Sequence, residues 1–142
     1  MAISKAHATW TGTLKEGAGT MKGDSGHFDA PFTFVSRFEG AATGTNPEEL
    51  LAASHAGCFT MALAFALTGA GFTPTKLATS AAVTLESDGP GFKISKSALK
   101  LEASVPDITK DQFQKIAEGA KAGCPISRLL KTNITLTAKL VS

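Results

Sequence analysis

The sequence predicts an α+β protein, with mainly antiparallel sheet built around one long buried central helix. Three observations carry that expectation. Asn46 to Gly69 is an apolar run with helix signals at both ends. Segments that alternate apolar and polar residues, as half-buried strands do, lie on both sides of it. A second, amphipathic helical segment comes late in the chain, before a last alternating segment.

The central helix is read from its ends inward. Asn46 can cap it, Pro47 suits the first helical position, and Glu49 stands where a capping-box acid reaches back. Gly69 is a usual C-terminal residue. Between them the apolar residues cover every side, which predicts a helix buried all round, roughly 33 Å long at ~1.5 Å per residue. The length approaches a bilayer span. Ser54, His55, Gly57, Thr60 and Thr68 dilute the run, and strand-like flanks on both sides argue for a core helix and against a membrane.

Before the helix, Ala6–Gly12, Lys15–Lys22 and Phe32–Glu39 read as strands, the last from its alternation of Phe32, Phe34, Ser36 and Phe38 with Thr33, Val35, Arg37 and Glu39. After it, Ala78–Glu86 reads as a strand that turns at Asp88-Gly89-Pro90-Gly91. Phe92–Val105 is long for one strand. Its apolar residues change phase between Ile94 and Leu99, so a bulge is expected near Lys96–Ala98. Thr109 with Gln112 forms a capping box, and Phe113, Ile116, Ala117 and Ala120 follow at helical spacing to Gly123. Pro125–Leu130 reads as a short helix and Asn133–Val141 as the closing strand.

A chain of 142 residues suits a single domain, 1–142, with a core that needs no disulfide staples. The net charge of +2 is small and the lysines are spread out, so no nucleic-acid surface is indicated. With one Trp and no Tyr there is no stacking platform for single strands. The N-terminus MAISKAHATW has no apolar leader core, so a cytoplasmic location is expected, where thiols stay reduced unless they do redox work.

The chemistry-bearing candidates are few. Cys58 lies within the long helix, where a free cysteine is ordinarily a small buried hydrophobe. Cys124, in Gly-Cys-Pro, sits where a helix begins, and backbone N–H groups there favour a thiolate. Sixty-six residues separate them, so local sequence does not bring them together. His55, three residues before Cys58, could serve as a base for it. A zinc site from His27, His55, Cys58 and Cys124 matches no usual ligand spacing. Arg37 interrupts an aromatic strand, and Glu48 and Glu49 suit a helix first turn without any further role.

TNPEELLAASHAGCF, followed by KAGCPISRLLK and a closing strand, resembles the OsmC/Ohr family of thiol-dependent peroxidases. RFEG, GFTPT and ITLTAKL, in the same order, resemble its OsmC branch. The resemblance covers essentially the whole chain. It implies an intertwined homodimer that reduces organic hydroperoxides, and hydrogen peroxide less well, in stress defence. It implies Cys58 as the peroxidatic thiol, Cys124 as the resolving thiol, and Arg37 and Glu48 as the activating pair. It also implies a dithiol reductant, with lipoyl-bearing proteins as one donor, and no metal or organic cofactor. A small apolar-ligand carrier with inert cysteines, and a thiol redox sensor, are the alternatives.

The resemblance and the local reading differ on one point, since the helix start favours Cys124 as the more acidic thiol. Lowering a thiol from ~8.5 by ~2 units takes ~2.7 kcal/mol. A guanidinium ~4 Å away supplies ~4 kcal/mol at an effective dielectric of ~20. One arginine is therefore enough to make Cys58 the nucleophile. Glu48 and Cys58 are ten residues apart on one helix, ~15 Å along its axis. If both serve one site, Glu48 is expected from a partner's helix across a two-fold axis, with Arg37 alongside it.

Overall fold

The computed structural model describes residues 1–142, which form two compact units, Met1–Leu50 and Leu51–Ser142. The first holds an antiparallel sheet in the order β1 (Ala6–Thr11), β2 (Ala18–Gly23), β3 (Asp29–Phe32). Gly19 of β2 faces Trp10 and Phe32, where a Cβ would stand within 2.8 Å of both rings. Its bare backbone lets those rings approach to 5.3 Å.

The third expected strand, Phe32–Glu39, is corrected by the structure. Only Phe32 belongs to β3, and Phe34–Phe38 is a short helix, α1. Alternation over eight residues lost to a local capping box: Thr33 Oγ1 accepts from Ser36 N, and Ser36 Oγ accepts from Thr33 N. Helical turning also brings Phe34 and Phe38 together, with ring centroids 5.1 Å apart, an i,i+4 pairing that a strand forbids. Ser36 donates onward to the Thr45 carbonyl, and Asn46 Nδ2 donates to the Ser36 carbonyl. Those bonds tie α1 to the start of the long helix, α2 (Pro47–Gly69). Asn46 caps α2 through Glu49 N, whereas Glu49 accepts from Thr45 Oγ1. At the far end the left-handed glycine is Gly71, two residues beyond Gly69.

The second unit contains the rest of α2 and a sheet in the order β4 (Lys76–Asp88), β5 (Gly91–Ser104), β6 (Asn133–Leu140). β4 and β5 are antiparallel. β6 runs parallel to β5, the one parallel strand pair in a mainly antiparallel arrangement, because two helices intervene: α3 (Lys110–Gly123) and α4 (Pro125–Leu129). α3 carries the expected Thr109–Gln112 capping box. The bulge falls one residue before the expected window: Thr84 faces Lys96 and Leu85 faces Ile94, so Ser95 is the extra residue. Beyond it the odd positions Ser97, Leu99, Leu101, Ala103 and Val105 are buried, and Lys96, Lys100 and Glu102 are exposed.

Every buried apolar side chain of the core lies in this second unit. Phe59, Leu63 and Leu67 of α2 meet the β5 face and Phe113, Ala117 and Ala120 of α3. The helix is not buried all round within one chain. His55, Phe59, Leu63 and Leu67 form its inner row, and Met61 and Phe65 on the opposite side are 77% and 83% exposed. Leu63→Ala should lower the unfolding free energy by about 2 to 5 kcal/mol, read as a lower urea midpoint with unchanged slope.

Candidate active site

Two groups of residues that the sequence singled out are assembled, one in each unit. In the first unit Arg37 leaves the last turn of α1 and Glu48 the first turn of α2. Glu48 Oε1 accepts from Arg37 Nε at 2.9 Å and Oε2 from Nη2 at 3.2 Å. This is a two-point ion pair that fixes the plane of the guanidinium. Arg37 also lies over the Phe38 ring, at 5.2 Å from its centroid. Glu48 is buried, and Arg37 keeps about a third of its side chain exposed, with Nη1 pointing its two donors elsewhere. Beside Arg37 is a cavity of about 340 Å³ walled by Trp10, Leu14, Phe32, Phe34 and Phe38.

In the second unit the two cysteines meet. Both are free thiols, and their sulfurs are 2.8 Å apart. Cys58 is half-buried on α2, and Cys124 is fully buried at the junction where α3 ends and α4 begins with Pro125 at its first turn. Their separation of 66 positions is spanned by the rest of α2, the β4–β5 hairpin and α3.

Their surroundings are unequal. Burial pushes the Cys58 thiol up, and so does the hydrogen bond and charge shared with Cys124; the Ile126 backbone pulls weakly the other way. Burial also pushes Cys124 up, but hydrogen bonds from Cys58, the Ser127 backbone and hydroxyl, and the Ile126 backbone outweigh it, leaving Cys124 below the ordinary thiol value. Within the single unit, Cys124 is therefore the more readily ionised of the two thiols. This is the helix-start effect that the sequence suggested, strengthened by a hydroxyl.

His55 does not pair with Cys58. It is fully buried, with Nδ1 2.6 Å from Ser97 Oγ and Nε2 2.8 Å from Ser127 Oγ. Burial lowers its pKa from the ordinary 6.5. No group of three His, Cys, Asp or Glu side chains is placed to hold a metal ion. Sequence reasoning did not single out Ser97 or Ser127. The signal for Ser97 is one polar residue on the otherwise apolar odd face of β5.

The OsmC-like protein family model matches residues 40–139, a stretch that includes both cysteines and Glu48. The chain belongs to this OsmC-like family. It is 50% identical to the peroxiredoxin OsmC of Escherichia coli, over 97% of this chain and 96% of that protein. It is 32% identical to the organic hydroperoxide resistance protein of Xanthomonas axonopodis pv. citri, over 95% and 92%. Among solved structures, that of the organic hydroperoxide resistance protein OhrB of Bacillus subtilis superposes with a TM-score of 0.69 at 27% identity, covering 96% of this chain and 97% of that one. The OsmC-like fold that the resemblance implied is thus shared with relatives of known structure.

A histidine held neutral by burial gives a pH signature. The unfolded chain binds a proton at His55 near pH 6.5 and the folded chain does so only at lower pH, so the unfolded state gains protons first as pH falls. Stability from this residue is full above about 6.5 and is lost as pH drops toward the folded value. Urea midpoints measured between pH 7 and 5 should fall more steeply in wild type than in His55→Gln.

Proposed function

We propose that this OsmC-like chain is a cysteine-based peroxidase that reduces organic hydroperoxides, and hydrogen peroxide less well, in antioxidant and osmotic stress defence. The observation that carries this reading is the meeting of two free thiols, far apart in sequence, at 2.8 Å. Inert structural cysteines need no such approach, which argues against the apolar-ligand carrier, and the relatives named peroxiredoxin and organic hydroperoxide resistance protein favour catalysis over sensing. Cys58 thiolate attacks the O–O bond and leaves as a sulfenic acid, with the alkoxide released as alcohol. Cys124 then condenses with that sulfenic acid to a disulfide. A dithiol, such as a lipoyl-bearing protein, restores both thiols. The chemistry runs on these side chains without a cofactor, and we place it in the cytoplasm, within one domain that includes both units.

Arg37 and Glu48 complete the site from a partner subunit. Within its own unit Cys58 is pushed the wrong way for a nucleophile, so a cation must come to it. Arg37, with its plane fixed by Glu48, has Nη1 available for a thiolate or a peroxide oxygen. The helix rise separates positions 48 and 58 by ~15 Å, too far for one chain's helix to serve both roles. An intertwined homodimer resolves this. It also accounts for the exposed apolar row Gly57, Met61 and Phe65 on α2, and for a first unit with no buried apolar core of its own. The aromatic cavity beside Arg37 suits the apolar group of an alkyl or aryl hydroperoxide.

Cys58→Ser should abolish turnover of cumene hydroperoxide with a dithiol, and Cys124→Ser should consume about one equivalent and stall. Arg37→Met should slow the first oxidation by about 10² to 10³-fold. The shared site has a sharper test in mixed dimers. Cys58→Ser and Arg37→Met chains, each inactive alone, should regain activity when unfolded and refolded together, because one site of each mixed dimer is then intact. No recovery despite mixed dimers on native gels would place Arg37 and Cys58 in the same chain.

A further inference from the structure

The mechanism above leaves one buried polar group unused. His55 sits in the core, one helical turn before Cys58, and is held from both sides by serines of two other elements: Ser97 of β5 and Ser127 of α4. Ser127 lies three residues after Cys124, and its hydroxyl reaches the Cys124 sulfur. No buried side-chain nitrogen or oxygen lacks a partner, and Ser97, His55 and Ser127 form a continuous bonded row that ends beside Cys124.

Counting protons gives this row a direction. A hydroxyl has one proton to donate, and a neutral imidazole has one N–H and one bare nitrogen. In the attacking state Cys124 is a thiolate, which only accepts, so Ser127 spends its proton there. Ser127 Oγ must then accept from His55, which puts the ring proton on Nε2. Nδ1 is left bare and takes the proton of Ser97. The direction is therefore Ser97 O–H to Nδ1, Nε2–H to Ser127 Oγ, and Ser127 O–H to Cys124 Sγ. Each bond polarises the next toward the sulfur.

We propose that His55, fixed in the Nε2–H form by Ser97, positions and polarises the Ser127 hydroxyl as a donor to Cys124 and so prepares Cys124 as the nucleophile of the disulfide-forming step. This rests on the peroxidase reading for the step itself. Cys124 thiolate attacks the sulfur of Cys58–SOH, the S–S bond forms and the S–O bond breaks. Cys124 is oxidised, the sulfenic sulfur is reduced, and hydroxide leaves to become water with a solvent proton. His55 is a positioning residue here and never exchanges its proton with the substrate.

The test separates the relay from the peroxidase reading. In a Cys58→Ser background, Cys124 is titrated by thiolate absorbance in the ultraviolet, which needs no peroxide. Adding Ser127→Ala should raise the titration midpoint by about one pH unit, Ser127→Thr should restore most of it, and His55→Leu should raise it with partial restoration by His55→Gln. With both cysteines present, Ser127→Ala should slow disulfide formation after one equivalent of peroxide by about threefold. A tenfold lower thiolate fraction is partly offset by the greater nucleophilicity of a more basic thiol. The first oxidation, at Cys58, should keep its rate. An unchanged midpoint in Ser127→Ala, or a Ser127→Thr variant displaced as far as Ser127→Ala, would overturn the relay. Failure of wild type to consume peroxide would overturn the peroxidase reading and leave the titration result standing.

Discussion

The second unit hangs on a buried imidazole. His55 joins α2 to β5 through Ser97 and to α4 through Ser127, and the two cysteines lie within a turn of those joints. An unsatisfied buried polar group costs about 1 to 3 kcal/mol, so a small shift of any one element leaves partners stranded on the other two. Apolar packing of Phe59, Leu63 and Phe113 supplies most of the cohesion, but oil-like contacts tolerate sliding. Directional bonds do not. The 2.8 Å approach of the sulfurs is thus held in register by polar groups and kept dry by the core around them.

Charge is the reason the proposed mechanism brings a cation to Cys58. Among their own neighbours, burial and the bond to Cys124 raise the Cys58 thiol while hydrogen bonds lower the Cys124 thiol, an ordering that favours resolution over attack. An arginine at about 4 Å shifts the balance by more than the two or so pKa units at stake. Arg37 suits that proposed role. Glu48 and the Phe38 ring hold its guanidinium, the Glu48 bonds use Nε and Nη2 and leave Nη1 outside the pair, and the residue lines an aromatic cavity. On the proposed mechanism, the local preference for Cys124 and the family pattern that favours Cys58 describe two stages of one cycle, before and after a guanidinium reaches Cys58.

Much of this was legible in the residues. The long helix, its Asn46 cap, the α3 capping box and the phase change in β5 are local signals, and the structure has each within a residue or two. Two features escaped because local signals competed or were silent. At Thr33–Phe38 strand-like alternation and a Thr–Ser capping box overlap, and hydrogen bonds to the chain entering α2 settle the contest for helix. The parallel placement of β6 depends on how α3 and α4 cross over the sheet, which no short window encodes. At the site, cysteine contexts carried a recognisable pattern, whereas Ser97 and Ser127 are ordinary residues whose meaning comes only from a histidine 42 and 72 positions away.

The crossover that delivers Cys124 has a consequence for how the protein is born. Cys58 leaves the ribosome 66 residues ahead of its partner, a lead of about 3 to 13 s at ~5 to 20 residues per second. The parallel β5–β6 pairing that seats the α3–α4 connection also forms through distant contacts, which are slow to close. For that interval the nascent chain has one thiol and, on the proposed roles, no resolving partner. It also has no partner subunit, and without that subunit's Arg37 the Cys58 thiol is not activated. An activating cation that arrives only with the dimer would keep Cys58 slow to react until a resolving thiol is in place to trap its sulfenic acid.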